Sequence, residues 1–436
     1  MERKLAIEYG NRTLPLRIPD QNVAFDIAPR EGAAAPPAEA EVGRALAAPI
    51  NSSPLAELVR PGQTVALIVD DHTRLTPSYQ ILPLLLDELN RGGIPDAQVT
   101  MIIASGTHRA MTPEEKEAKF GADVLARVRT LDHAYLDRAN LRDLGTTARG
   151  THLWVNAEAL EADVRIAVGI IFPHFPAGWG GGAKMLLPGI AGEETVAEFH
   201  MLGNIHPETR VGQIDTVTRQ EMEEFAARVG LHFILNVVLD KEGRILRAFA
   251  GHFVQAHRAG VEFARTIYEV EVPEAADLLL SSPSPIDHDY FQVMKGLYSA
   301  EVCTRAGGEI MLISPIYEGM AATHREALEI THLGMEEAMR RIQRGEYTDS
   351  VGAAIAAYQI KLRQFFQLSI LSEHLSAAEA DQLGVRLYTR PEALQALVDE
   401  RLAQTPALKV GVLHQSTEVL PRVRQGEHTA LSHSAT

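Results

Sequence analysis

The sequence is poor in cysteine, in positive charge and in long apolar segments. Cys303 is the only cysteine among 436 residues, which excludes an intrachain disulfide and a cluster of thiolate metal ligands. The formal net charge of −16 disfavours nucleic acid or an anionic membrane as the main partner. No apolar run approaches the roughly 18 residues of a membrane-spanning helix, and the N-terminus lacks the apolar core of a signal peptide. The sequence therefore predicts a cytoplasmic protein. An anionic small substrate would need a local cluster of Arg and Lys.

Patterns of buried strands alternate with helical patterns along most of the chain. Apolar runs at 64–70, 98–106 and 164–171 predict buried strands, with helical segments between them. Continuous apolar strands separated by helices are typical of a parallel sheet that is covered on both faces. Apolar runs at 277–282 and 309–314 predict a second unit of the same kind. We therefore expect an α/β protein of two α/β domains with mainly parallel sheets and an active-site cleft between them.

The boundary between the two domains is predicted near residue 271, in the segment EVEVPEAAD. The first domain would span 1–270 and would be joined by a returning strand within 406–420. The second domain would span 272–400. The tail at 424–436 is predicted to be disordered, as the ends of chains often are.

A glycine-rich loop, GWGGGAKMLLPGI (178–190), places four glycines within five residues shortly before Lys184. Glycine carries an entropic cost in a rigid fold, so this loop indicates a sharp bend or a close approach to something bulky. A phosphate-binding P-loop would need Gly before the lysine and Ser or Thr after it, but Ala183 and Met185 occupy these positions. The loose dinucleotide spacing G-x-G-x-x-A is also present, although a loop so rich in glycine satisfies many patterns. A tight structural turn with a solvated lysine is the alternative interpretation.

Polar residues follow three of the predicted strands at the point where each strand ends. DDHTR (70–74) follows the first strand, SGTHR (105–109) the second, and FPHFP (172–176) the third. Because ligands of open α/β sheets bind outside the carboxyl ends of the strands, we expect these loops to form one site. His108 and His174 are candidates for a pair of general acid/base groups, since imidazole titrates near neutrality.

Other residues suggest an anion-binding group and a metal ligand. Arg74 is suited to hold a carboxylate with two parallel hydrogen bonds. Gln292 and Lys295 are three residues apart and would share a face of a helix, where Lys295 would add a second cation; an ordinary exposed lysine is the alternative. His200 is a candidate metal ligand, although a lone histidine without nearby Cys or carboxylate ligands is a weak signal.

Taken together, these stretches resemble the lactate racemase family, whose members use a nickel-pincer nucleotide. The matching segments are DDHTR, SGTHRAMTPEE, PHF followed by the glycine loop ending in GGAKMLLPGI, His200, and the pair Gln292 and Lys295. They span residues 70–295, and the domain pattern extends the likeness over nearly the whole chain. The long ungapped segment GGAKMLLPGI makes the resemblance specific.

The resemblance implies a covalent cofactor. Lys184 would bond through a thioamide to a pyridinium mononucleotide, and His200 would ligate nickel beside one carbon and two sulfurs of the cofactor. This ligand set suits a square-planar d⁸ metal, and the cofactor would bring the sulfur that the chain lacks. Proteins of cofactor biosynthesis would be needed as partners to load the group. The residues expected to contact the nucleotide are Lys184, Asp71, Thr73, Gly180, Gly181 and Gly182.

The resemblance also implies the reaction, an inversion of C2 in a 2-hydroxy acid by reversible hydride transfer. One of His108 and His174 would remove the proton of the 2-hydroxyl while the hydride at C2 passes to the cofactor ring. The planar 2-oxo acid would present its other face before the hydride returns, and the other histidine would protonate the product. The groups expected to hold the substrate carboxylate are Arg74, Gln292 and Lys295.

The sequence departs from the family pattern in the predicted substrate pocket. Phe291 stands where lactate-type members commonly carry Tyr, and Tyr358 stands where we would expect Trp. Both residues are predicted to contact the substrate, and the changes suggest more room and a polar contact beyond C3. We therefore expect a substrate larger than lactate, such as an aldonic acid epimerised at C2 or malate.

Three alternative functions fit parts of the sequence. Lactate racemase itself is one of them. A dehydrogenase that uses a free dinucleotide is weakened because no acidic residue ends a strand about 20 residues after the glycine loop. A cofactor-carrying protein without turnover would predict that His108 and His174 can be lost without loss of function.

Overall fold

The structure is a computed structural model that describes residues 1–32, 34–206, 209–320 and 323–424. Apart from Arg424, the predicted disordered tail at 424–436 therefore lies outside the described residues. The strands are β1 (Glu2–Tyr9), β2 (Arg12–Pro19), β3 (Val23–Ile27), β4 (Val65–Val69), β5 (Val99–Ile103), β6 (Arg129–Asp132), β7 (Leu141–Thr146), β8 (His152–Asn156), β9 (Val164–Ile170), β10 (Pro173–His174), β11 (Gly178–Trp179), β12 (Phe233–Leu239), β13 (Ile245–Gly251), β14 (Glu269–Val272), β15 (Ala276–Ser281), β16 (Thr304–Ile313), β17 (Gln367–Leu371), β18 (Arg386–Tyr388), β19 (Val410–Leu413) and β20 (Leu420–Val423).

Sixteen α-helices occur among the described residues. The α-helices are α1 (Ala38–Ala47), α2 (Leu55–Leu58), α3 (Ser78–Arg91), α4 (Pro113–Phe120), α5 (Ala122–Arg127), α6 (Ala157–Glu161), α7 (Glu193–Ile205), α8 (Val217–Val229), α9 (Gln255–Tyr268), α10 (Tyr290–Val293), α11 (Gly296–Ala300), α12 (Glu326–Thr331), α13 (Met335–Gln343), α14 (Ser350–Arg363), α15 (Ala377–Leu383) and α16 (Leu394–Gln404). Short 3-10 helices occur at Asp20–Asn22, Asp96–Gln98, Arg138–Asn140, Gly182–Met185 and Pro391–Ala393. No helix in the described ranges is both long and apolar enough to cross a membrane.

The first sheet has the strand order β13-β12-β9-β4-β5-β6. Its strands are parallel except for β13, which forms a hairpin with β12. Every residue of β4 is buried, as expected for an apolar strand covered on both faces. The three predicted strands at 64–70, 98–106 and 164–171 correspond to β4, β5 and β9, which are neighbours. Their carboxyl ends therefore meet at one edge, as the sequence predicted.

The second sheet is fully parallel and has the order β18-β17-β16-β15-β19-β3. The hairpin of β1 and β2 packs on one face of this sheet, where Leu5, Ile7 and Leu16 join a core with Leu278 and Leu280. The largest apolar core continues from the first sheet into the second. The structure thus confirms the predicted α/β class with two mainly parallel sheets.

Two segments belong to a different sheet than the sequence predicted. We expected the strand within 406–420 to join the first domain, but β19 pairs with β15 and β3 in the second sheet. We also expected residues 1–270 to form one unit, whereas β1, β2 and β3 pack in or on the second sheet. Near the predicted boundary, β14 pairs with β20 as the chain passes between the two sheets. Local patterns identified the strands but not their partners, because strand pairing is a contact between distant parts of the chain.

Candidate active site

His108 is held by a buried carboxylate that follows the first strand. Its Nδ1 lies 2.6 Å from Oδ2 of Asp71. Because an ionised carboxylate can only accept a hydrogen bond, Nδ1 carries the proton and Nε2 is left as the acceptor. The hydroxyl of Thr73 donates to the other oxygen of Asp71 at 2.5 Å. Asp71 and Thr73 were predicted to contact the cofactor; both line the cavity, and both also orient His108.

In both His108 and Asp71, burial shifts the pKa in one direction and the interaction with the other residue shifts it in the opposite direction. Burial lowers the pKa of His108, and the carboxylate of Asp71 only partly offsets this effect. Burial alone would raise the pKa of Asp71, but its interactions with His108, which include their hydrogen bond, and with Arg74 hold it well below its usual value. His108 is therefore neutral near pH 7 beside an ionised Asp71, which is the state required of a general base.

Arg74, Gln292 and Lys295 form a cluster that joins the two halves of the molecule. Lys295 Nζ donates to Gln292 Oε1 at 2.5 Å, and Arg74 Nη1 approaches the same oxygen at 3.3 Å. The amide nitrogen of Gln292 lies 3.2 Å from His108 Nε2, so it is the donor in that contact. Burial, followed by the charges of Arg74 and Lys184, lowers the pKa of Lys295 well below its usual value. A bound anion would act in the opposite direction and favour the charged form of Lys295.

Lys184 stands at the edge of the same cavity without a partner for its amine. Among the described residues no side chain or carbonyl accepts a hydrogen bond from Lys184 Nζ, and no carboxylate pairs with it. Burial, followed by the charges of Arg74 and Arg219, lowers the pKa of Lys184 well below its usual value. A neutral, unpartnered amine is the form in which a lysine can react as a nucleophile.

The glycines before Lys184 are required by contacts within the protein itself. A Cβ atom on Gly178 would lie 1.6 Å from the carbonyl oxygen of Gln213, and one on Gly180 would lie 2.7 Å from the ring of Phe172. Gly178, Gly181 and Gly182 also have positive φ angles, which L side chains rarely adopt. We expected the glycines to make room for a nucleotide, but folding of the loop already explains them. Gly180 and Gly181 line the cavity, and Gly182 does not.

His174 and His200 line the cavity, and the pKa of each ring is lowered. His174 is buried, and its Nδ1 has no hydrogen-bond partner. Burial, with the charges of Lys184 and Lys295, lowers the pKa of His174 well below its usual value. His200 Nδ1 donates to the carbonyl oxygen of Val196 at 2.8 Å, which leaves Nε2 as the free acceptor. Burial lowers the pKa of His200 to about 4, so its ring is neutral.

One cavity brings most of the predicted residues together. It encloses about 1280 Å³ of empty space, part of which is open to solvent, and both halves of the molecule contribute to its walls. This is the cleft that the sequence predicted between the two sheets. The predicted residues that line it are Asp71, Thr73, Arg74, His108, His174, Gly180, Gly181, Lys184, His200, Phe291, Gln292 and Lys295.

Tyr358 does not line this cavity, contrary to its predicted contact with the substrate. It lies on α14 behind the wall, where its ring packs against Phe175 at 5.0 Å and Tyr298 at 4.9 Å between centroids. Tyr358 is fully buried in this stack. The sequence placed Tyr358 by analogy with a family position, and only the packing of α14 shows that two other aromatic rings separate it from the cavity.

The sequence analysis missed several residues that the structure brings to the site. His324 lies in a loop of the second half and bonds through Nε2 to the hydroxyl of Thr107 at 2.9 Å. Phe291 packs edge-on against His324, with centroids 5.7 Å apart. Glu318 from the same loop pairs with Arg109 at 2.9 Å. Nothing in the sequence indicated the contacts of His324 with Thr107 and of Glu318 with Arg109, since each joins residues more than 200 positions apart.

His200 is the candidate metal ligand among the histidines that line this cavity. In the part of the chain that the structure describes, a group of three side chains able to hold a metal occurs elsewhere, at His152, Glu194 and Glu198. That group involves an exposed histidine, does not line the cavity, and pairs internally through hydrogen bonds from His152 to Glu198. A metal beside His200 would thus need most of its ligands from a source other than these residues.

Comparison with known proteins agrees with this geometry. A family model described as the lactate racemase N-terminal domain matches residues 9–212. A lactate racemase from Thermoanaerobacterium thermosaccharolyticum is 35% identical over 321 residues, which cover 72% of this chain and 75% of that protein. A lactate racemase from Lactiplantibacillus plantarum is 33% identical over 319 residues, covering 72% of this chain and 75% of the relative.

The chain belongs to the lactate racemase family. Its structure is similar to that of the lactate racemase apoprotein from T. thermosaccharolyticum, with a TM-score of 0.83, 27% identity, and coverage of 96% of this chain and 100% of the other. A Thermotoga maritima protein shares the fold at a TM-score of 0.73 and 18% identity, covering 88% of this chain and 98% of the other. Family membership makes the protein an enzyme, an isomerase of the racemase type.

Proposed function

We propose that the protein is a nickel-pincer nucleotide-dependent racemase or epimerase that inverts C2 of a 2-hydroxy acid larger than lactate. The observation that carries this proposal is the arrangement of two neutral histidines, His108 and His174, in one cavity with the cations Arg74 and Lys295. An inversion needs a proton acceptor and a proton donor around one carbon, and the cations supply a place for a carboxylate. Lactate itself, the substrate in the names of the relatives, is the second candidate.

The free atoms of the site fit the cofactor. Lys184 offers an unpartnered amine with a lowered pKa for a covalent bond, and His200 offers Nε2 to a metal. The lone cysteine, Cys303, is buried away from the cavity, so sulfur ligands would come from the cofactor. When bound, the group would supply the acceptor and donor of the C2 hydride. Proteins of cofactor biosynthesis are then the expected partners for loading.

The residues of this chain would hold the substrate and move its hydroxyl proton. Arg74 and Lys295 would bind the carboxylate, with Gln292 fixing their positions through its Oε1. His108 Nε2 would accept the 2-hydroxyl proton of one enantiomer, with Asp71 stabilising the imidazolium that forms. His174 would accept the 2-hydroxyl proton of the other enantiomer, because the hydroxyl of that enantiomer is placed differently when the carboxylate and the C2 hydrogen keep their positions.

Two measurements on protein produced together with the cofactor-biosynthesis proteins would test the proposal. Intact-mass analysis should show an adduct on the chain, with nickel by elemental analysis. Racemisation of a C2-deuterated 2-hydroxy acid should retain most of the label, because the hydride does not exchange with water. Rapid loss of the label to solvent would contradict hydride transfer. A panel containing lactate, malate and aldonic acids would then identify the substrate, and a clear preference for lactate would contradict the larger substrate.

A further inference from the structure

Tyr298 lies in the wall of the cavity, one helical turn beyond Lys295. Gln292 on α10, Lys295 just before α11 and Tyr298 on α11 are spaced three residues apart, and all three line the cavity. The backbone N–H of Tyr298 bonds to the carbonyl of Lys295 at 3.1 Å, so the two residues keep a fixed relation. Tyr298 therefore stands beside the cations proposed to hold the substrate carboxylate.

The ring of Tyr298 is fixed by two other aromatic residues. Its centroid lies 4.9 Å from that of Phe175 and 4.9 Å from that of Tyr358, at interplanar angles of 36° and 67°. Such offset and edge-on contacts favour one ring position. A hydroxyl carried by a fixed ring loses little conformational entropy when it binds a ligand.

The hydroxyl of Tyr298 has no hydrogen-bond partner among the described residues, and it is not enclosed like that of Tyr358. Tyr290, by comparison, donates its hydroxyl to Gln359 at 2.6 Å. Burial and nearby Glu301 raise the pKa of Tyr298 above its usual value, so the phenol stays protonated at neutral pH. It can both donate and accept a hydrogen bond.

We propose that the Tyr298 hydroxyl binds a hydroxyl group of the substrate beyond C2, and so selects polyhydroxylated 2-hydroxy acids over lactate and malate. This inference rests on the proposed function, because it takes the carboxylate to lie at Arg74 and Lys295. The sequence predicted a polar contact between the protein and the far end of the substrate. Phe291 has no hydroxyl, and Tyr358 lies behind the cavity wall, so neither supplies this contact. The inference assigns it to Tyr298.

A hydroxyl suits this part of the cavity better than a second carboxylate. Phe175 packs against the Tyr298 ring, and Met294, one turn earlier in the chain, also lines the cavity, so this wall is partly apolar; the charge nearest the ring besides Lys295 is the carboxyl of Glu301. A carboxylate placed here would lose its hydration without gaining a cation, because Lys295 already belongs to the first carboxylate. A substrate hydroxyl needs only one partner, and the phenol provides it.

The test compares lactate with glycerate, which differs from lactate by one hydroxyl at C3. Cofactor-loaded wild type, Tyr298→Phe and Tyr358→Phe would be assayed for kcat/KM and, by calorimetry, for the Kd of each acid. Tyr298→Phe should weaken glycerate about three- to tenfold, the usual effect of one lost hydrogen bond, and leave lactate nearly unchanged. Tyr358→Phe is the matched control, since it removes a hydroxyl from the same stack behind the cavity wall. Thermal unfolding would confirm that both variants fold.

The outcomes separate this inference from the proposed function. An unchanged ratio of glycerate to lactate in Tyr298→Phe would overturn the inference even if the enzyme racemises both acids. An equal change in Tyr358→Phe would also overturn it, because the effect would then come from the stack as a whole. If the wild type binds the acids but racemises none, the proposed function fails, and the ratio of Kd values still decides the role of Tyr298. Tighter binding of malate than of glycerate by the wild type would contradict the selection of hydroxyls.

Discussion

His108 and His174 line the same cavity, but the protein holds them in different ways. Both nitrogens of His108 have protein partners, Asp71 at Nδ1 and Gln292 at Nε2, so its tautomer and orientation are fixed within the chain. His174 has no partner at Nδ1, and Lys184 beside it has none for its amine among the described residues. The side chain of His108 thus has its partners within the protein. The side chains of His174 and Lys184 keep atoms without protein partners, as expected of a surface that binds a cofactor.

The largest effect is expected from Lys184→Ala, which removes the amine that we propose to bind the cofactor. This variant should lose the covalent adduct and all racemase activity, because the other lysine of the cavity, Lys295, is already hydrogen-bonded to Gln292. Lys184→Arg is the matched control, since it keeps a long basic side chain but cannot form the same bond. Intact mass, nickel content and racemisation would be measured together. An adduct or full activity in either variant would show that Lys184 is not the attachment point.

Removal of either histidine should be nearly as costly. His108→Ala and His174→Ala should each lower racemisation about 10²–10⁴-fold, the usual contribution of a positioned acid or base. Because the proposed adduct forms at Lys184 and not at the histidines, both variants should still carry it by mass. Rates would be measured from each enantiomer. Activity close to that of the wild type in one variant would remove that histidine from the mechanism.

Asp71→Asn tests whether His108 depends on the carboxylate of Asp71 for its function. We expect a loss of about 10- to 100-fold, as for other residues that orient a functional histidine. Since Asp71 raises the pKa of His108, its removal should lower that pKa further and move the acidic limb of the pH profile to lower pH.

A double-mutant comparison makes this test specific. Asp71→Asn should cost little more in a His108→Ala background, because the residue it orients is already gone, but its full effect should persist in a His174→Ala background. Equal losses in the two backgrounds would mean that Asp71 acts on something other than His108.

A third histidine, His414, lies outside the cavity and has its pKa shifted in the opposite direction. Burial alone would lower it, but hydrogen bonds to Asp26 and Glu8 raise its pKa to about 9. The stabilisation is therefore complete below the unfolded pKa of roughly 6.5 and is lost as pH rises towards 9. His414→Gln should cost about 1–3 kcal/mol of unfolding free energy at pH 6 and little at pH 9.5. Denaturant unfolding at both pH values would measure this, and a cost independent of pH would exclude the ion pairs as the cause.

The sequence by itself determined the strands and the loops that carry the chemistry. Buried strands can be identified from continuous apolar runs, so β4, β5 and β9 and the polar residues after them were predictable. The rule that parallel strands present their carboxyl ends at one edge then predicted that His108, His174 and Lys184 would meet. The spacing of Gln292 and Lys295 also predicted a shared face. The same spacing extends to Tyr298 and could have identified it.

Only the tertiary structure decided which strands pair and what surrounds each side chain. Nothing local in the sequence distinguishes β19, which joins the second sheet, from a strand of the first. The structure also corrected the expected lining of the cavity. Tyr358, which we predicted to contact the substrate, lies behind the wall, whereas His324, which we did not predict, lines the cavity. Hydrogen bonds such as that of His324 to Thr107 join residues 217 positions apart, so they depend on how the two halves pack. Local patterns report the preferences of a segment, whereas pairing and burial depend on contacts across the whole fold.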